Sequence, residues 1–207
     1  MMCDILVLDK NWVPHSWIDI EKAIAHEATS EVLNHIGETI IIYNGGTNRF
    51  SGERSKIETS SIIVVNGAPD RSKYKEPALT NDSLFQRDRH VCAYCSRVFR
   101  AIDLTRDHIY PQKPVKGSGG KDIWMNVVTA CKKCNSLKAN MLPGEKIPRA
   151  HSAFPGPQNN GKMEPFYIPY IPCKAEHLIM RGRNIKADQM EFLINHITNP
   201  HSRFLVK

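Results

Sequence analysis

Four of the six cysteines form two pairs, Cys92-x-x-Cys95 and Cys131-x-x-Cys134. A Cys-x-x-Cys turn aims both sulfurs to one side, and four thiolates make the soft tetrahedral donor set that suits Zn²⁺. The opening "MMCDILVLDKNW" lacks the form of a secretory signal, so such pairs read as metal ligands before disulfides. A zinc with four sulfur ligands has no position for water, and its expected role is to staple the fold. Chemistry must come from the 35 residues between the pairs. There "TRDHIYPQ" (105–112) sets the carboxylate of Asp107 beside the imidazole of His108. A neutral imidazole accepts a proton near pH 7, and a carboxylate holds a hard cation. Asn126 and Asn135 add amides before the second pair and directly after it. Taken singly, each of these residues is more often structural than functional; their joint spacing between two cysteine knuckles is what counts.

These residues need elements to position them. "AIDLTRDHIYP" (101–111) suits a short strand ending near His108, and "WMNVVTAC" (124–131) a second one. "QKPVKGSGGKD" (112–122) reads as a flexible basic loop, and "KKCNSLKANM" (132–141) as a helix with Asn135 and Lys138 on the face of Cys134. The order is strand, loop, strand, helix. Ahead of it, "NDSLFQRDRH" predicts a short helix capped by Asn81 or Asp82.

The first third predicts a small α/β unit. "ILVLD" (5–9), "TIIIYN" (39–44) and "SSIIVVN" (60–66) are strand-like, and "SWIDIEKAIAHEA" is helical from a capping-box-like Ser16-x-x-Asp19. His15, His26, His35 and His90 read as packing or surface histidines, and Cys3 and Cys173 as small apolar residues. Prolines crowd 151–172, an extended wrapping segment, and Met190, Leu193, Ile194 and Ile197 make a helical stripe near 185–198. The expected organisation is an N-terminal unit and linker over 1–79, a catalytic unit over 80–150, and an extended plus helical segment over 151–207.

Charge supports a polyanionic partner. Residues 1–70 hold 5 Lys/Arg against 10 Asp/Glu, whereas residues 71–150 hold 16 against 7, so the basic excess lies with the Asp-His pair. Such a field draws nucleic acid. No apolar run approaches the roughly 20 residues that span a bilayer, so the expectation is a cytoplasmic protein without membrane contact, in the host cytoplasm if phage-encoded.

Cys92-x-x-Cys95, "LTRDHIYP", "GG", "WMNVV" and "ACKKCNSLK", in that order over residues 84–142, resemble the HNH nuclease family, whose core is a ββα-metal unit. The resemblance implies an α+β fold: a small ββα-metal core stapled by structural zinc, carrying the N-terminal α/β unit and the C-terminal segment. It implies that His108 is the general base, that Asp107 ligates the catalytic cation, and that Asn126 holds the loop and orients the base. Asn135 stands where many members have a second His. That variant resembles the phage endonuclease VII type, in which this Asn is a metal ligand. One carboxylate and one amide oxygen form a hard, incomplete ligand set that favours Mg²⁺ or Mn²⁺. The implied activity is metal-dependent hydrolysis of DNA, double-stranded or branched, with a homodimer left open. Arg106, Lys116, Lys121, Lys132, Lys133 and Lys138 are the expected phosphate contacts. The competing reading is a non-catalytic zinc-ribbon protein that binds nucleic acid.

Overall fold

The computed structural model describes residues 4–66, 76–113, 119–145 and 162–205. It is an α+β protein that divides into two compact units, Met1–Lys75 with Cys173–Thr198, and Glu76–Pro172 with Asn199–Lys207. Residues 151–207, expected as one trailing segment, are thus shared between the two. The Pro-rich stretch 151–161 lies outside the described residues.

The first unit is a four-stranded sheet of β1 (Ile5–Leu8), β2 (Pro14–Ile18), β3 (Val32–Thr47) and β4 (Arg54–Val65), in the order β2-β1-β4-β3. β1 and β4 run parallel, with Leu6 opposite Ile62 and Val7 opposite Ile63; the other pairs are antiparallel. Unbroken apolar runs such as "ILVL" mark strands covered on both faces, and here both are. α1 (Ile20–Ala28) sets Ala23 against Ile5, Val7, Ile63 and Val65. Two further helices, α4 (Lys174–Arg181) and α5 (Ala187–Asn195), belong to the same unit, and α5 packs on β3 and β4. There the buried Gln189 donates to the carbonyls of Asp4 (2.8 Å) and Ser61 (2.7 Å). The N-terminal helix begins later than the sequence suggests. Asp19, not Ser16, is the cap, accepting from the Lys22 backbone N–H, because Ser16 is paired into β2.

The second unit carries α2 (Asn81–Arg87), β5 (Leu104–His108), β6 (Val127–Cys131) and α3 (Lys132–Lys138). Thr80, one residue ahead of the two expected candidates, caps α2 through its side chain. β5 and β6 pair antiparallel, with Asp107 opposite Val128 and His108 opposite Val127. Behind this hairpin lies Arg87, wholly buried, with all five N–H groups used. Nε and Nη2 grip Asp88 (2.7 and 3.1 Å), Nη1 reaches the carbonyls of Trp124 (3.0 Å) and Tyr170 (2.9 Å), and Nη2 also reaches Val127 O (2.9 Å). The guanidinium lies 5.3 Å from the ring centroids of both Trp124 and Tyr170, where cation–π attraction adds to the hydrogen bonds. Asp88 in turn accepts from Thr129 N (2.8 Å). One residue pair thereby fixes α2, the start of β6 and the C-terminal segment.

Two stability predictions follow from these contacts. Arg87→Met leaves the Asp88 carboxylate buried without its cation, and removing one partner of a buried pair costs about 3–5 kcal/mol; denaturant unfolding at neutral pH measures it. In the first unit, Asp188 is drawn below the ordinary carboxylate range. Burial pulls it up, but the Ser61 hydroxyl and the backbone N–H groups of Glu38 and Gln189 together outweigh that. A lowered folded value means its stabilisation is present above the ordinary range and is lost as pH falls through the folded one. Unfolding midpoints at pH 7 and in acid should therefore converge for Asp188→Asn more than for the parent chain.

Candidate active site and metal centre

The two cysteine pairs sit on unlike supports. Cys92 and Cys95 bracket a tight turn, closed by Ser96 N–H donating to Cys92 O (2.9 Å) and pinned to β6 by Ala93 N–H on Thr129 O (2.8 Å). Cys131 ends β6 and caps α3, accepting from Cys134 N (3.4 Å), and Cys134 lies in the first turn of that helix. All four sulfurs are buried and lie within 4.8 Å of one another. A tetrahedron of zinc–sulfur bonds of about 2.3 Å has edges of about 3.8 Å, so the cage fits a structural zinc. The titration behaviour agrees. Hydrogen bonding from Cys134 draws the Cys92 thiol down to about 5, while Cys134 is pushed up, chiefly by that same bond, and Cys131 by burial. Four buried thiols at this spacing cannot ionise together without a cation.

Because Cys134 is held in the cage, the next residue on α3 is delivered to β5. Asn135 Nδ2 donates to Thr105 Oγ1 (2.9 Å) and Arg106 O (3.3 Å). Asp107, His108 and Asn135 all line one cavity of about 320 Å³, with Gln112, Lys113 and Asn140 on its rim. The expected trio therefore does come together in space.

Asp107 is 4% exposed. One carboxylate oxygen takes a hydrogen bond from the Tyr94 hydroxyl, and the other faces Lys138 Nζ at 3.2 Å. Burial lifts its carboxyl above the ordinary value, against the pull of Lys138 and Tyr94. A carboxylate offers about four lone-pair sites, so these two contacts leave acceptor capacity on the cavity side. Asp107 and Asn135 both line the cavity, and one carboxylate with one amide is a partial, oxygen-bearing set of the kind that suits a hard cation.

Asn126 is 7% exposed and acts as a clamp. Its Oδ1 accepts from Tyr110 N (3.0 Å), and Nδ2 donates to Tyr110 O (3.1 Å) and Lys121 O (2.9 Å). The two glycines of "GG" are required here by close approach. A Cβ on Gly119 would collide with the Gln112 carbonyl, and one on Gly120 with the Tyr110 carbonyl and the Asn126 amide. The two ends of the loop, expected to be flexible, are therefore tied to the strand that carries His108. Residues 114–118 between them, including Lys116, lie outside the described residues.

Two of the six cations expected on DNA are committed elsewhere. Lys138 is 1% exposed, with Nζ on Asp107 and on the His108 carbonyl (2.7 Å). It belongs to the interior because a buried carboxylate needs a buried cation. Arg106 forks onto both oxygens of Asp122 (3.0 and 2.7 Å) and reaches Asn81 Oδ1 and Leu79 O, both at 3.1 Å. Lys121, Lys132 and Lys133 are exposed. Sequence reasoning missed Tyr94 and Asp122. Tyr94 sits inside the first knuckle, where only the pairing of knuckle and strand brings it to Asp107. Asp122 closes the loop after the two glycines, and its His108 contact (2.9 Å to Nε2) was masked by the basic character of that loop.

The cage generates its own test. Prolonged chelation, or Cys131→Ser, should remove about one equivalent of zinc per chain and abolish cooperative unfolding of the second unit, read by metal analysis and circular dichroism. Residues 92–148 match the family model described as HNH endonuclease. No curated protein and no solved structure matches the chain. Among the described residues, no helix is long and apolar enough to cross a membrane. The matched segment holds both cysteine pairs, Asp107, His108, Asn126 and Asn135, so the whole candidate site lies in the part of the chain that is similar to HNH endonucleases.

Proposed function

We propose that the protein is a metal-dependent endonuclease that hydrolyses DNA phosphodiester bonds. The observation that carries this reading is the convergence of Asp107, His108 and Asn135 on one cavity beside the four-cysteine cage, within the HNH endonuclease match. His108 is the general base. It takes a proton from water, whose oxygen forms a bond to phosphorus as the bond to the 3′ oxygen breaks, leaving 5′-phosphate and 3′-hydroxyl ends. The departing 3′ oxygen takes its proton from solvent. Asp107 and Asn135 would hold the catalytic Mg²⁺ or Mn²⁺, which screens the scissile phosphate and stabilises the leaving oxygen. Asn126 keeps the loop and strand in register. Lys121, Lys132 and Lys133 contact the phosphate backbone and read charge and shape rather than sequence. The zinc in the cysteine cage does none of this chemistry.

Plasmid nicking with Mg²⁺ tests the proposal. Positioned acid–base groups contribute about 10²–10⁴-fold, so His108→Ala should lose at least about 100-fold with zinc content unchanged. Equal inactivity of the parent chain and the variant across Mg²⁺, Mn²⁺ and a panel of linear and branched DNA would sink the enzyme reading. The metal profile checks the ligand set separately. With an amide at position 135 in place of an imidazole, Mg²⁺ and Mn²⁺ should support cleavage better than Ni²⁺, and strong activation by Ni²⁺ with none by Mg²⁺ would contradict it.

A further inference from the structure

We infer that Asp122 is a positioning residue for the general base: its carboxylate fixes which nitrogen of His108 carries the proton and aims the other at the cavity. The inference rests on the reading of His108 as the base. It starts from geometry. Asp122 Oδ1 lies 2.9 Å from His108 Nε2, and Arg106 Nη1 holds both oxygens of the same carboxylate at 3.0 and 2.7 Å.

A surface carboxylate beside a histidine is ordinarily a solvated pair of little consequence, and Asp122 is 44% exposed. Here it is held from three sides. Arg106, itself only 18% exposed, is anchored by Asn81 and Leu79, so the fork that grips Asp122 does not wander. The preceding carbonyl, Lys121 O, is taken by the buried Asn126. Gly120 N–H donates to Pro111 O (2.9 Å), and no side chain larger than hydrogen fits at Gly120. The loop is thus built to deliver position 122 to His108.

The chemistry then assigns the tautomer. Burial raises the Asp122 carboxyl, but the hydrogen bonds from Arg106 and His108 and the charge of Arg106 together outweigh it and hold it below the ordinary range. An ionised carboxylate only accepts hydrogen bonds. A neutral His108 must therefore donate through Nε2, which leaves the lone pair on Nδ1. Nδ1 has no hydrogen-bond partner among the described residues, and His108 lines the cavity. The arrangement follows the logic of the Asp–His pair in serine proteases, where the carboxylate orients and selects the tautomer without itself taking the proton. It also accounts for Arg106, which holds the carboxylate ionised and turned toward the ring.

Nitrogen-15 NMR of the DNA-free, zinc-loaded chain reads the tautomer directly. The neutral His108 ring should carry its proton on Nε2. In Asp122→Asn the Arg106 fork keeps the amide oxygen, so the amide NH₂ faces the ring and the proton should move to Nδ1. Nicking by that variant should fall roughly 100-fold or more in kcat with KM within about twofold, and Asp122→Glu should recover part of the loss. A parent His108 protonated on Nδ1, or an Asp122→Asn variant with unchanged tautomer, overturns the inference; the first readout needs no variant to fold. Full activity of Asp122→Asn beside an inactive His108→Ala overturns it as well while leaving the nuclease reading intact. If the parent chain cuts no DNA, the nuclease reading fails, and the tautomer still decides whether Asp122 sets the ring.

Discussion

Four sulfurs within 4.8 Å of one another, all buried, set the terms for the second unit. Thiols packed this closely suppress one another's ionisation, so one is drawn down while others are pushed up. A divalent cation reverses the balance, because thiolates are its ligands and their repulsion becomes attraction to the metal. The fold then follows from where the ligands sit. One pair lies on the turn pinned to β6, and the other spans the junction of β6 and α3. Closing the cage fixes the direction in which α3 leaves the sheet. That direction puts Asn135, one residue past the last sulfur, against Thr105 and Arg106 of β5. The metal does no chemistry in the proposed reaction, yet the catalytic geometry is downstream of it.

The opposite side of the hairpin is set by a second charged device, Arg87 with Asp88. Burying such a pair is not in itself stabilising relative to an apolar core, because the desolvation penalty offsets most of the Coulomb gain. What the pair supplies is direction. Five donors in a planar fork meet acceptors on α2, on Trp124 and Val127 at the start of β6, and on Tyr170, and no apolar side chain specifies so many partners at once. Lys138 plays the equivalent part at the cavity. It lets the buried carboxylate of Asp107 stay at the wall of the cavity, with Tyr94 completing its environment.

Much of this was legible in the sequence, for identifiable reasons. Cys-x-x-Cys pairs, Asp107-His108 and Asn135 are local signals whose chemistry does not depend on long-range contacts, and all lie together in space. The strand at 127–131 followed from its Val-Val-Thr run, and the one at 104–108 from the Ile, Leu, Thr and Ile spread over 101–111. The failures share a cause. Lys138 and Arg106 looked like phosphate contacts because a sequence shows charge without showing burial, and both are consumed by carboxylates 31 and 16 residues away. Asp122 was hidden inside a loop read for its lysines and glycines. The helix at Lys174–Arg181 was hidden by the Pro-rich run before it, although Ala175, Leu178 and Ile179 fall at helical spacing and are buried.

The same pairings bear on what the basic charge is worth. Residues 71–150 carry 16 Lys/Arg against 7 Asp/Glu; two of those cations, Arg87 and Lys138, are buried, and a third, Arg106, is tied to a carboxylate. Each of the three brings its own carboxylate: Arg87 has Asp88, Lys138 has Asp107, and Arg106 has Asp122. Removing the three pairs leaves the excess of nine unchanged. Charge that builds the site is therefore neutral by construction, and the field that would draw a polyanion is carried by the remaining side chains. The separation has a physical use. Long-range attraction to a phosphate backbone is screened by salt within about 10 Å at 0.1 M, whereas the buried pairs Lys138–Asp107 and Arg87–Asp88 are screened far less. Rising salt should then weaken the proposed encounter with DNA well before it disturbs the buried contact of Asp107 with Lys138.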